Sequence, residues 1–168
     1  MSLARIEQQA EQQGGVTMER VFINTILTEA VQVCRGAAEK RSIQLLPSCS
    51  NGISVEANMH LLQQAVVNLI DNAVKYSDEE SRVFVTGVSD GDLAVISIRD
   101  EGCGIDEEHL PRIFERFYRV DKARSRKLGG TGLGLAIVKH IAQVHGGTVA
   151  AESAPGEGST FSIRIPKG

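Results

Sequence analysis

Three stretches of this chain carry apolar residues at helical spacing, and seven shorter runs have the alternation or β-branched clustering of strands. From Thr25 to Arg41 the apolar positions Ile26, Leu27, Ala30, Val31, Val33, Cys34 and Ala37 predict an amphipathic helix. Asn58 supplies an N-cap for a second helix running to about Tyr76, whose Leu62, Ala65, Val66, Leu69, Ile70 and Ala73 share one broad face. Leu133 to Val144 predicts a third, strongly apolar helix. Short strands are predicted at Val21–Asn24, Ile43–Leu46 and Ile53–Glu56, the last two flanking a turn region from Pro47 to Gly52. Arg82–Val88 and Leu93–Arg99 form a hairpin across the Ser-Asp-Gly-Asp segment at 89–92. Thr148–Ser153 and Ser159–Ile165 close the chain as a strand pair. Between them lie a short helix at about Glu107–Phe114 and a polar, basic, mobile loop from Tyr118 to Gly130. The order of elements predicts an α/β (α+β) two-layer sandwich, with about five strands in a mixed, largely antiparallel sheet covered by about three helices.

Composition narrows the class without naming a chemistry. At 168 residues the chain suits one compact domain, here 16–168, preceded by a short appendage at 1–15. That appendage is rich in helix formers and ends in the Gly14-Gly15 pair, so it reads as the end of a longer helix deprived of its partner. A net charge of −3 argues against a nucleic-acid partner. No apolar run approaches a membrane span, and no signal-peptide pattern opens the chain. The three cysteines lack metal-ligand spacing and read as reduced cytosolic thiols.

The candidate chemistry begins on the second helix. Asn68, Asn72 and Lys75 fall within an arc of roughly 60° on one face. Asn is a poor helix former, so a solvated face would more commonly carry Glu, Lys or Gln. An amide oxygen is a hard ligand suited to Mg²⁺, and Lys75 one turn on can offset phosphate charge. From this helix alone, a solvated face and a metal site fit equally well. Two glycine turns come next. In Asp100-Glu-Gly102-Cys-Gly104, the carboxylate either caps an ordinary turn or accepts from an adenine amine over a closely approaching backbone. In Gly129-Gly-Thr-Gly132-Leu-Gly134, the glycines directly precede a helix, whose free N–H groups suit an anion. This is neither a Walker P-loop nor a Rossmann turn.

Taken together these segments resemble the catalytic ATP-binding domain of sensor histidine kinases, within the wider superfamily of gyrase, Hsp90 and MutL. Asn68–Tyr76 is similar to the N box, Asp100–Gly104 to the first glycine box, Ile113–Val120 to the F box and Gly130–Leu135 to the second glycine box. The resemblance covers about residues 16–167 and implies the Bergerat-type ATP-binding fold, with ATP and Mg²⁺ as cofactors. It implies that Asn72 coordinates Mg²⁺ with Asn68 beside it, that Lys75 meets phosphate, and that Tyr76 packs near the adenine or ribose. Asp100 would bind the adenine amine, with Gly102, Gly104 and Ile105 shaping the pocket. Phe114 and Phe117 would anchor a lid running from about Asp121 to Thr131. Tyr118 and Arg119 would approach the nucleotide, Arg119 as the leading candidate to stabilise the transferring phosphoryl group. Gly130, Thr131, Gly132, Leu133 and Gly134 would cradle phosphates.

The resemblance also implies a missing part. The family's acceptor is a histidine beside an acidic residue on a long helix, and none of His60, His109, His140 and His145 fits that pattern. Ser2–Glu7 resembles the last turns of the dimerisation domain. The chain is therefore expected to be a piece without its own acceptor, inactive alone and monomeric. The full-length protein is expected to be a homodimer, cytoplasmic or anchored in the inner membrane, that signals to a response regulator. Two alternatives stand beside this reading: a regulatory nucleotide-binding module without transfer, and a gyrase- or Hsp90-like ATPase. The second is disfavoured because Asn68 occupies the position where those ATPases carry a Glu base.

Overall fold

The computed structural model describes residues 16–168 together with Ala4, so the appendage expected at 1–15 lies outside the described residues apart from that one position. Strand β1 (Glu19–Phe22) pairs antiparallel with β3 (Ser54–Ala57) in a small two-stranded sheet. The main sheet has five strands in the order β2 (Gln44–Cys49), β4 (Arg82–Asp90), β5 (Leu93–Asp100), β7 (Ser159–Pro166), β6 (Thr148–Ser153). Only the β2–β4 pairing is parallel, so the sheet is mixed and largely antiparallel, as expected.

One face of that sheet is apolar and carries the helices. Val85, Ile98 and Phe161 stand in register across β4, β5 and β7, as do Gly87, Ile96 and Ile163, and all of these side-chain-bearing residues are buried. Helices α1 (Ile23–Glu39), α2 (Met59–Tyr76) and α4 (Gly134–Val144) cover this face. On the opposite face the guanidinium groups of Arg82 and Arg99 lie 5.5 and 4.5 Å from the centre of the Phe84 ring, a polar, aromatic surface with no helix over it among the described residues. The result is a two-layer sandwich.

Helix α2 is placed from both ends. The Asn58 side chain accepts from the Leu61 N–H at 3.0 Å, satisfying one of the helix's orphan donors. Leu62, Ala65, Val66, Leu69, Ile70, Ala73 and Val74 are all buried, which leaves the Asn68–Asn72–Lys75 face turned away from the core. Truncating a core residue such as Leu69 would cost about 2–5 kcal/mol. At the far end Arg41 donates to the carbonyls of Val74, Lys75 (3.0 Å) and Ser77 (2.8 Å), so a fork from the end of α1 closes the last turn of α2.

The structure departs from the sequence expectations in several places. Ile23 and Asn24, expected to end the first strand, open α1, and Val33, expected among its apolar positions, is exposed. Pro47 lies inside β2 rather than in a turn, tolerated because β2 is an edge strand where a missing N–H costs no ladder bond on its open side. The helix expected over 107–114 contracts to a 3₁₀ turn, Glu107–His109, followed by further turns. The expected loop contains a short helix α3 (Lys122–Lys127), capped by Asp121, whose carboxylate accepts from the N–H groups of Ala123 and Arg124 at 3.0 Å. Phe117 is 69% exposed and takes no part in the core. It is the Phe117 backbone that is held, its N–H donating to the Gly132 carbonyl at 2.8 Å. Phe114 does pack inward, edge-on to Phe161 at 6.2 Å between centroids.

Candidate functional site

A cavity of about 660 Å³ opens between α2, the end of β5, and the segment that carries α3 and the entry to α4. Its size is that of a small-molecule site. Every site residue expected from the sequence lines it except Gly102: the α2 face brings Asn68, Asn72, Lys75 and Tyr76. The β5 end brings Asp100, Gly104 and Ile105. Tyr118 and Arg119 come from the approach to α3, and residues 130–134 from the entry to α4. Segments far apart in sequence thus converge on one concave surface.

Asp100 is the buried polar centre of the cavity, 5% exposed at the last position of β5. Its Oδ1 accepts from the N–H of Gly102 at 2.9 Å and from the N–H of Ser159 at 3.2 Å. Burial pushes its pKa up, and the two backbone donors pull it part of the way back. Gly102 acts here from outside the cavity wall: it supplies that donor, and a Cβ on it would collide with the Tyr76 carbonyl. The first glycine turn is therefore pressed against the end of α2. Gly104 is required for another reason. Its φ is +72°, and a Cβ there would run into the Ala154 carbonyl.

The second glycine segment is shaped by its contact with Phe117. Gly132 has φ +74°, and a Cβ on it would lie 2.9 Å from the Phe117 Cα. Phe117 itself adopts φ +63°, uncommon for an aromatic residue, so both sides of this contact carry special backbone geometry. Gly134, by contrast, is the first residue of α4, and a Cβ on it would meet nothing within 4 Å.

Several cavity residues were not expected from the sequence. Asp71 lines the cavity and holds the Lys75 ammonium at 2.7 Å, so the lysine expected to meet phosphate is paired with a carboxylate here. The signal was available, since Asp at i and Lys at i+4 face each other on any helix. Arg124 and Ser125, within the lid expected from about Asp121 to Thr131, bring α3 into the wall, and Cys103 stands in it from the first glycine turn, where its place between Asp100 and Gly104 puts it. Ser159 donates to Asp100 from a strand 59 residues away, a partnership no local pattern encodes.

The donor set suits a hard cation that keeps most of its ligands from a bound phosphate and water. The α2 wall offers two neutral amide oxygens, from Asn68 and Asn72, rather than a cage of carboxylates. Among the described residues the grouping of Asp106, Glu108 and His109, with ligand atoms within 4.8 Å of one another, is outside the cavity lining.

Comparison with known proteins gives a consistent result. The model of the family described as histidine kinase-, DNA gyrase B-, and HSP90-like ATPase matches residues 57–168. The sensor-like histidine kinase SenX3 of Mycolicibacterium smegmatis is 42% identical over 150 residues, covering 89% of this chain and 39% of that protein. The chain thus spans about two fifths of this curated relative. The solved catalytic domain of histidine kinase ThkA is similar at a TM-score of 0.79 and 26% identity, over 89% of this chain and 95% of that one. Full-length ShkA in complex with AMPPNP is similar at 0.78 and 28% identity, over 91% of this chain and 32% of that one.

Proposed function

The chain belongs to the histidine kinase-, DNA gyrase B-, and HSP90-like ATPase family, with the fold of sensor histidine kinase catalytic domains, and on that premise we propose that its cavity binds Mg·ATP and donates the γ-phosphoryl group to a histidine on a separate dimerisation and phosphoacceptor domain. The observation that carries this reading is the convergence of a buried carboxylate, an amide-bearing helix face and a glycine-rich helix entry on one cavity. The AMPPNP complex of the similar ShkA supports an adenine nucleotide as the ligand.

Each part of the wall then has a task. Asp100, fixed by the Gly102 and Ser159 N–H groups, accepts from the exocyclic amine of adenine and orients the base. Asn72, with Asn68 beside it, would hold Mg²⁺, which would supply charge neutralisation for the bound phosphates. Lys75 exchanges its Asp71 carboxylate for phosphate; the pair is partly exposed, so that exchange costs little. Arg119 faces the transferring group, and the free N–H groups at the entry to α4 cradle the phosphates. Helix α3, with Lys122, Arg124, Arg126 and Lys127, forms a cationic lid that excludes water. Catalysis of this kind is positioning and charge neutralisation, with little covalent work for the protein.

The proposal extends to the whole protein as a homodimer that passes its phosphoryl group on to a response regulator. Among the described residues no helix is long and apolar enough to cross a membrane. The test is to supply the dimerisation domain in trans with γ-labelled ATP. Its histidine should take up label, and transfer should vanish with Asn72→Ala. Binding of Mg·ATP without any transfer would favour a regulatory nucleotide-binding module instead.

A further inference from the structure

We infer that His109 is a positioning residue for this site, fixing Tyr118 against the cavity at the point where the chain enters the lid. The inference rests on reading the cavity as a Mg·ATP site.

His109 ends the 3₁₀ turn and does not line the cavity, whereas Tyr118 does. The two meet through His109 Nδ1 and the Tyr118 hydroxyl, 2.5 Å apart, with ring centres at 6.0 Å. On the other side of the imidazole, a Glu108 carboxylate oxygen lies 3.4 Å from Nε2. A carboxylate beside Nε2 favours the tautomer with its proton there. Nδ1 is then the acceptor, and the phenol donates to it.

The Tyr118 ring is held on its face as well. The Arg112 guanidinium carbon lies 4.5 Å from the ring centre, and Arg112 is itself paired with Glu115 at 3.2 Å. Edge and face contacts together leave the ring one orientation. That orientation governs the next three residues of the chain. Arg119, Val120 and Asp121 all line the cavity, and Asp121 caps the lid helix. The direction in which the lid leaves the domain is thus set at Tyr118, by a residue that never touches the ligand. A neutral hydrogen bond of this kind carries a net worth that converts to about a 3- to 10-fold change in affinity.

The experiment compares the unsubstituted chain with His109→Ala, His109→Asn, Tyr118→Phe and the His109→Ala/Tyr118→Phe double variant. Three quantities are read: Mg·ATP affinity by calorimetry, nucleotide-free thermal unfolding, and tryptic cleavage of the lid at Lys122, Arg124, Arg126 and Lys127 under saturating nucleotide. His109→Ala and Tyr118→Phe should each weaken Mg·ATP by about 3- to 10-fold. The double variant should bind no worse than either, and both single variants should lose nucleotide protection of the lid. His109→Asn, whose amide oxygen can take the place of Nδ1, should recover most of the affinity. Nucleotide-free unfolding should fall only slightly, by the worth of this one hydrogen bond, and the fall should not grow with the loss of affinity across the variants. Wild-type affinity in His109→Ala, additive losses in the double variant, no recovery with Asn, or a lowered unfolding midpoint with affinity intact would each overturn the inference. Failure of the unsubstituted chain to bind Mg·ATP would overturn the cavity reading, and this inference with it.

Discussion

His145 accepts a hydrogen bond from the backbone N–H of Asn58 through Nε2, at 3.0 Å, and so ties the end of α4 to the N-cap of α2. Its Nδ1 is 2.7 Å from the Ile141 carbonyl and donates to it, which fixes the neutral tautomer. The imidazole is 7% exposed. The helix carrying the amide face is thus held at its start by a histidine that must stay unprotonated at Nε2.

That arrangement makes stability depend on pH. Burial lowers the His145 pKa from its ordinary 6.5, with the Ile141 carbonyl opposing part of the shift. The unfolded chain therefore takes up a proton before the folded one does. The contribution is complete above about pH 6.5 and is lost as pH falls from there through the folded value. The thermal unfolding midpoint should drop between pH 7.5 and 5.5. In His145→Gln that slope should flatten, with stability at pH 7.5 lower by about 1–2 kcal/mol for the disturbed bonds.

Arg41 makes a second tie, at the other end of α2. Arg41→Met leaves the carbonyls of Val74, Lys75 and Ser77 without this partner and should cost about 1–3 kcal/mol in denaturant unfolding. Because Lys75 and Tyr76 lie in the turn it clamps, Mg·ATP affinity should fall too. Arg41→Lys should recover only part of either loss, since an ammonium cannot reproduce the guanidinium fork.

The glycines of the second box should separate into two kinds. Gly132→Ala places a methyl against the Phe117 backbone at a φ of +74° and should destabilise the fold by about 1–2 kcal/mol. Gly134→Ala meets open space at the first position of α4 and should leave stability unchanged or raise it by up to about 1 kcal/mol. Thermal unfolding of the two variants side by side distinguishes them.

Local pattern carried much of this structure. The period of α2, its Asn58 cap and the β4–β5 hairpin were readable because each depends on neighbours in sequence. That the α2 face, the end of β5 and the two glycine turns line one cavity was legible in part, because the face follows from helical period and the turns from their glycines. What escaped depended on tertiary position. Pro47 belongs to a strand only because β2 lies at the sheet edge, and Asp100 gains Ser159 as a partner only once β7 pairs with β5. Phe117 was expected with Phe114 as an anchor for the lid, yet it is exposed and its backbone has a positive φ that no local pattern announces. Helix α3 has a local signal as well, since Asp121 before a run of helix formers is an N-cap pattern.

The central claim is that the cavity takes Mg·ATP with Asp100 on the adenine. Calorimetric titration of the whole chain and of Asp100→Asn with ATP and with ADP, in Mg²⁺, tests it most directly. Asn keeps an oxygen for the Gly102 and Ser159 N–H groups while withdrawing the carboxylate from the base. The expected result is one nucleotide per chain, with affinity for ATP and ADP lowered alike by about 10- to 100-fold in the variant. No binding by the unsubstituted chain, unchanged affinity in Asp100→Asn, or a loss confined to ATP would contradict it.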